Sequence, residues 1–307
     1  MKTRLKKPDK GDPSEILQMF PSYNLHLHCC RYWWLQHWEF NELSFPYWRI
    51  YHNSEEGAVI MYDNKTYQLT PDKIVMIAPN TSYATRLHNY KIPQNGYELK
   101  GGRIGSSECF EKMQKEKYIQ HFFIHFNIGM PYDNIAPGVF VYDLTDHFKE
   151  KIEVLKQHLN HEHTRFTFYA NLVIRSLVSD LLSSLPESSW NLISNDFRIL
   201  EVLSHIETNL NEDLSNISLS NIAGMAPNAF IRLFTKEIST SPQKYVKRKR
   251  IDRACVYLHH SNLTIDEVAW QTGFADRYHF SRIFKEITGI SPARYKKEFE
   301  INLSFEP

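Results

Sequence analysis

The sequence predicts an α+β, two-domain chain: an N-terminal β-barrel or jelly roll, a pair of connecting helices, and a C-terminal all-α domain of two helix-turn-helix units. Three observations predict it. The first is an internal repeat: F-I-R-L-F-T-K-E-I-S-T-S-P-Q-K-Y from Phe230 and F-S-R-I-F-K-E-I-T-G-I-S-P-A-R-Y from Phe280. Phe230/Phe280, Arg232/Arg282, Phe234/Phe284, Ser241/Ser291, Pro242/Pro292 and Tyr245/Tyr295 coincide in register, a repeat of supersecondary size. The second is a series of short β-rich runs within residues 15–143. The third is helical spacing of apolar residues across residues 144–185.

In chain order, the start M-K-T-R-L-K-K-P-D-K is polar and lacks the apolar run of a signal peptide. No stretch approaches 18 continuous apolar residues, so no membrane span is expected. Cys29, Cys30, Cys109 and Cys255 show neither disulfide nor zinc-finger spacing. A reducing, cytoplasmic setting without a cofactor is the expectation.

Strands are expected at Tyr47–His52, Ala58–Tyr62, Lys73–Ile77, Ser82–Arg86, Tyr118–Phe126 and Val139–Tyr142, each rich in branched or aromatic residues. Turn signals such as Glu56-Gly57, Asp63-Asn64 and Pro79-Asn80 separate them. Many short strands with polar turns suit a barrel or jelly roll. Segment 89–117, with Gly96, Gly101, Gly102 and many charges, reads as a long loop over a pocket. Helices are expected at about Leu144–His161 and Phe166–Leu185; in the second, Tyr169, Leu172, Val173, Ser176, Leu177 and Leu181 recur at helical spacing. Residues 186–196, opening Pro186-Glu187-Ser188-Ser189, read as a linker.

The last domain, 197–300, begins with a helix carrying Ile199, Val202, Leu203, Ile206 and Leu210. In the second repeat unit, Thr264 and Glu267 form a capping box, Gly273 supplies a left-handed turn, and Asp276 caps the next helix. That helix sets Phe280, Ile283, Phe284 and Ile287 inward and Arg277, Tyr278, Ser281 and Arg282 outward. The first unit repeats the plan with Gly224 at the turn and Pro227 in the first helical turn. There Phe230, Leu233 and Phe234 are expected to bury, and Asn228, Ile231, Arg232 and Thr235 to face out. Between the units, Ser241-Pro242 opens a longer helix whose buried face is Val246, Ile251, Ala254, Cys255 and Leu258. Helix, glycine turn and helix with a polar outer face is the helix-turn-helix pattern.

From Gly273 to Tyr295 these residues resemble the signature of AraC/XylS-type bacterial transcription regulators, and the resemblance extends over about residues 197–300. It implies that each unit inserts a recognition helix into one of two successive major grooves of double-stranded DNA. Two residues depart from the pattern. Ser220 stands where the family usually has a small alanine and Ser239 where the second copy has Gly289, and both are expected to weaken the first unit modestly. More loosely, Gly57 with the run Tyr67 to Asn80 is similar to the cupin-like sensor domain found in many members. The family implies dimerisation through helices 144–185, with capping of the barrel as the alternative.

Arginine on a recognition helix can donate two parallel hydrogen bonds to guanine. The repeat makes Arg232 and Arg282 the leading base readers, with Asn228 and His279 beside them. Thr235, Lys236, Ser241, Lys244, Arg277, Tyr278, Ser281, Lys285 and Arg294 complete the candidate interface. From Arg232 to Arg253 there are eight Lys/Arg against Glu237 and Asp252, which favours phosphate neutralisation. Whole-chain charge is only +1 and would not by itself reveal a DNA binder. The run Lys247-Arg248-Lys249-Arg250 fits either a phosphate track or a solvated helix face.

In the β domain, Trp34, Arg49, Tyr51, Tyr83 and His125 are the candidates for lining a small-molecule pocket, with a sugar among the ligands considered. The alternative is that the aromatic residues simply fill a core. Neither a catalytic nor a metal site is expected. Tyr83 stands where a cupin often has its metal histidine, and no downstream His-x-His joins His26 and His28. The function expected is a sequence-specific transcription regulator, an activator controlled by a small effector, acting as a homodimer and meeting RNA polymerase. Its rivals are a ligand-independent regulator and a metal-dependent cupin enzyme with a DNA-binding tail.

Overall fold

A computed structural model describes residues 23–94, 96–104, 117–129, 131–159, 165–190 and 196–299. The expected beginning of the sensor domain at residue 15, residues 105–116 of segment 89–117 and residues 191–195 of the 186–196 linker lie outside these residues.

Among the described residues, the N-terminal half is a nearly closed antiparallel barrel of nine strands. They are β1 (His26–Leu43), β2 (Trp48–Asn53), β3 (Ala58–Tyr62), β4 (Lys65–Leu69), β5 (Lys73–Ile77), β6 (Tyr83–Leu87), β7 (Tyr97–Arg103), β8 (Ile119–Asn127) and β9 (Val139–Asp143). The order is β4-β3-β6-β1-β8-β2-β5-β9, with β7 paired to the far end of β1. Six strands fall within a residue or so of expectation. Three were not anticipated, namely β1, β4 and β7, and β7 corrects the reading of 89–117 as one loop.

The length of β1 explains its invisibility. Register shifts between Leu27 and Cys29 against β8 and between Leu35 and His37 against β7. An extra residue at a bulge changes which parity faces inward. Trp33 and Leu35 therefore line the lumen before the second bulge, and Trp38 and Phe40 line it afterwards. No single period-2 pattern runs through the strand.

Strand β2, W-R-I-Y-H-N, is buried at every position because both faces are covered. Arg49 and Tyr51 point into the lumen. Trp48 and Ile50 join Phe122, Ile124 and Phe126 in an outer cluster under two helices, α1 (Asp146–Leu159) and α2 (Phe168–Ser183). Ile152 and Leu155 of α1 and Ile174, Leu177, Val178 and Leu181 of α2 seal that cluster. The apolar spacing expected for α2 is thus divided: Leu177 and Leu181 bury, while Tyr169 and Leu172 are exposed with Phe168. The start of the expected linker is not free chain. It forms a 3-10 turn, Glu187–Trp190, whose Trp190 ring lies 6.2 Å from Trp48.

The C-terminal half comprises α3 (Phe197–Thr208), α4 (Asn216–Ile222), α5 (Pro227–Ile238), α6 (Pro242–His260), α7 (Ile265–Gln271), α8 (Arg277–Thr288) and α9 (Pro292–Phe299). Local chemistry matches the sequence closely. The Thr264/Glu267 capping box closes both bonds, and Asp276 accepts from the His279 N–H. Ser241 is a correction: it occupies the N-cap position of α6 but makes no side-chain capping bond, leaving Pro242 to start the helix. Ile231 is another, since it is half-buried against the first unit's core rather than fully outward.

Ser239 ends α5 at φ 58°, the conformation Gly289 takes at φ 82° after α8. A left-handed non-glycine residue costs about 1–2 kcal/mol. Ser239→Gly is therefore expected to stabilise the first unit by about 1 kcal/mol, read as a raised urea midpoint at unchanged m-value. Ser220 is fully buried and satisfied by its Oγ donating to the Ile217 carbonyl at 2.9 Å.

The two halves share a core. Lumen residues such as Leu35, Phe45 and Tyr47 belong to the same continuous buried cluster as Ile251, Cys255, Phe280 and Tyr295 of the second unit. The first unit keeps its own core around Leu203, Phe230 and Phe234.

Candidate nucleic-acid interface and effector pocket

The two units superimpose position by position in their second helices. Helices α5 and α8 each have 12 residues, and Arg232 and Arg282 are each the sixth. Phe230 and Phe234 of α5, like Phe280 and Phe284 of α8, are 0% exposed and stack edge-on at 5.6 Å. Burying the phenylalanines at the fourth and eighth positions forces the second, sixth and ninth onto the opposite face. These are Asn228, Arg232 and Thr235 in one helix and Tyr278, Arg282 and Lys285 in the other, all exposed.

Lys236, Ser241, Lys244, Arg277, His279 and Arg294 are exposed too, and Ser281 is half-buried. Tyr278, 86% exposed, is unusually open for a tyrosine. Arg277 pairs with Asp266 of α7 at 3.2 Å, which ties the turn together on the outer face. Arg294 also borders a cleft of about 630 Å³ between the barrel rim and the second unit.

The basic run of α6 is mostly internal wiring. Lys249 pairs with Glu207 of α3 at 2.9 Å, and Arg248 with Asp252 at 2.9 Å. Arg250 donates to the Leu210 and Glu212 carbonyls at 2.9 and 3.0 Å. Among the described residues, Lys247 alone of the four stands exposed without a contact of this kind. Within a run of like charge on a helix, Lys249 and Arg250 thus clamp α3 and its following loop, while Arg248 pairs along α6 itself, which charge counting does not reveal.

The turn of the second unit is held from below by the same arginine. Gly273 has φ 78°, and a Cβ there would lie 2.4 Å from the Leu210 carbonyl and 2.8 Å from Arg250 Nη2. Gly224 of the first unit has φ 59° and open space around it.

Within the barrel, three of the five pocket candidates form one hydrogen-bonded group. Arg49 Nη1 donates to Tyr83 Oη at 3.0 Å, and Tyr51 Oη lies 2.9 Å from Tyr83 Oη. His125 is opposite Arg49 on β8 and reaches the boundary with α6. Trp34 is elsewhere: it belongs to the outer cluster, its ring against Gly102, because residues 32 and 34 of β1 face away from the lumen. Sequence reasoning placed it wrongly because β1 was not recognised as a strand.

The lumen space lined by Tyr51, His121, Phe123 and His125 is only about 70 Å³, well under the roughly 300–1,000 Å³ usual for a drug-sized ligand. Arg49 is 0% exposed, has no ion pair among the described residues, and leaves Nε and Nη2 without a hydrogen-bond partner. Its guanidinium lies 4.8 Å from the Phe45 ring and 4.7 Å from the Tyr83 ring. Aromatic faces compensate a buried cation in part, but unpaired buried donors remain costly. Burial also pushes His121 down to about 3 and His125 well below its ordinary value, so both rings are neutral at pH 7.

Paired helix-turn-helix units presenting matched polar helices define a nucleic-acid-binding class of domain. Comparison with known proteins agrees, for residues 219–298 match the family model described as "Helix-turn-helix domain". The C-terminal part of this chain thus carries a helix-turn-helix domain. Among curated proteins it is 28% identical over 145 residues to an uncharacterized HTH-type transcriptional regulator of Staphylococcus aureus, covering 47% of this chain and 19% of that one. It is 33% identical over 93 residues to the probable transcriptional regulator LumQ of Photobacterium leiognathi, covering 30% of this chain and 38% of that one. The alignments thus span about a fifth of the length of the first curated relatives. Solved structures with similarity include ToxT from Vibrio cholerae, at 12% identity and a TM-score of 0.48 over 91% of this chain and 100% of that one. The DNA-binding domain of AdpA in complex with a target DNA matches at 26% identity and a TM-score of 0.33, over 33% of this chain and 92% of that one.

Among the described residues, no helix is long and apolar enough to cross a membrane.

Proposed function

We propose that this protein is a non-enzymatic, sequence-specific transcription regulator of the cytoplasm, acting as a homodimer whose output is activation through RNA polymerase. The observation that carries the reading is the pair of matched, exposed recognition faces bearing Arg232 and Arg282. Two such faces on one chain suit two successive major grooves. The exposed apolar edge of α2, Phe168, Tyr169 and Leu172, supports dimerisation there.

Control by a small effector rests on Arg49. A buried guanidinium with two unpartnered donors suits a ligand carrying a carboxylate or another anionic group. Sugar hydroxyls alone would serve Tyr51 and Tyr83 but leave the charge uncompensated. The small lumen favours the second reading, in which the barrel binds no effector and only docks or dimerises.

Selection of bound genomic fragments by the purified chain tests the regulator. An enriched motif of two short blocks about 10 bp apart is expected, and no enriched motif with or without metabolites would overturn it. A thermal-shift screen of small acids and sugars separates the two readings of the barrel. A stabilising acid whose effect disappears in Arg49→Gln supports effector control, whereas stabilisation by none supports the ligand-independent reading.

A further inference from the structure

The last turn of α6 carries the DNA-binding half into contact with the barrel through two adjacent histidines. His259 Nδ1 lies 2.5 Å from Tyr47 Oη, and His260 Nε2 lies 3.2 Å from His125 Nδ1. Cys29 sits directly opposite His125 in the β1–β8 ladder, so their side chains share one face. Cys29, His125 and His260 each bring a ligand atom within 4.8 Å of the other two. The three come from β1, β8 and α6, which is why no spacing in the sequence marks them and why no metal site was expected.

A hydrogen bond between two neutral imidazoles accounts for the His125–His260 contact, but it leaves much unexplained. Among the described residues, His125 Nε2 and His260 Nδ1 are buried without a hydrogen-bond partner, so the two rings are packed among aromatic neighbours but their second nitrogens are left unsatisfied. The 3.2 Å between the facing nitrogens is near the roughly 3.3–3.6 Å that separates two ligands of one ion at metal–nitrogen distances of about 2.0–2.1 Å. A thiolate with two imidazoles is a soft donor set, suited to copper(I) or zinc(II).

Charge decides between them. Arg31 and Arg49 both act on His125 as nearby positive charges. A divalent ion with one thiolate would leave a net positive centre beside two guanidiniums in a buried site, which is costly. Copper(I) with one thiolate is neutral, and three ligands satisfy it. We propose that Cys29, His125 and His260 form a copper(I) site that staples the DNA-binding half to the barrel. It goes beyond the regulator reading, and its test needs no DNA.

The full-length chain, reduced and under anaerobic conditions, would be titrated with copper(I) against the chromophoric chelator bicinchoninate. One tightly held copper(I) per chain is expected, lost in both Cys29→Ser and His260→Gln and retained in Cys255→Ser. His260→Gln changes a half-buried helix terminus, so it keeps the test intact should Cys29→Ser fail to fold. Circular dichroism and a cooperative melt would confirm folding of each variant. Copper(I) is also expected to slow proteolytic separation of the two halves in the wild type and not in His260→Gln. Failure to compete for copper(I), or unchanged stoichiometry in folded variants, would overturn the site. Tighter binding of zinc(II) than of copper(I) would overturn the copper assignment.

Discussion

Arg282→Ala and Arg232→Ala are each expected to weaken binding to a selected cognate site by about 1–3 kcal/mol, roughly five- to 150-fold. Both arginines hold the sixth position of a recognition helix, on the face opposite a fully buried phenylalanine pair. Removing either side chain should leave folding intact, because neither belongs to a buried cluster. Each loss should be confined to one half of the site, with relaxed preference there and little change at the other half. The two should add in the double variant, since independent sites on separate helices do not couple. Lys244→Ala supplies the contrast: a phosphate contact weakens all sequences alike and lowers the salt slope by about one. Fluorescence anisotropy with cognate and half-scrambled duplexes at two salt concentrations separates these outcomes. A uniform, sequence-blind loss in Arg232→Ala and Arg282→Ala would reassign both arginines to the DNA backbone.

Gly273→Ala is expected to destabilise the second unit by about 3 kcal/mol. Two costs add: about 1–2 kcal/mol for a side chain in the left-handed region, and a clash with backbone that cannot yield cheaply. The Cβ would lie 2.4 Å from the Leu210 carbonyl, which is itself held by Arg250 Nε at 2.9 Å. Moving that carbonyl breaks the clamp between α6 and the loop after α3. Gly224→Ala is the internal control. Its φ is also positive but nothing lies within 4 Å of the added carbon, so only the conformational cost of about 1 kcal/mol applies. Urea unfolding of the two variants measures the difference. Equal losses would show that the Leu210 loop moves freely and that the clamp is weak.

The repeat made the C-terminal half legible almost residue by residue. Capping boxes, glycine turns and phenylalanine stripes act over three to five residues, so their chemistry is complete within the local sequence. Ser241, Ile231 and Leu233 (half-buried where full burial was expected) were misjudged details, and all three depend on what packs beside the helix start or the helix face rather than on the helix itself.

The barrel was half legible. Short strands bounded by turn residues declared themselves, but β1 did not, because two bulges break its alternation and helices cover its outer face. With β1 unseen, Trp34 was assigned to the wrong face. Arg49, Tyr51 and Tyr83 were chosen as polar groups among aromatics, and it is the closed sheet that brings them together.

By itself the sequence determined the two architectures, the order of the C-terminal helices and the outward register of Arg232 and Arg282, since all three follow from periodicity and short-range caps. Tertiary structure alone decided that the two halves share one core, that Lys249 and Arg250 of the basic run are spent on Glu207 and the Leu210 loop, and that Cys29, His125 and His260 converge. Those contacts join residues far apart in the chain. Long-range proximity is set by how sheets close and helices dock, and no local pattern in the chain encodes it.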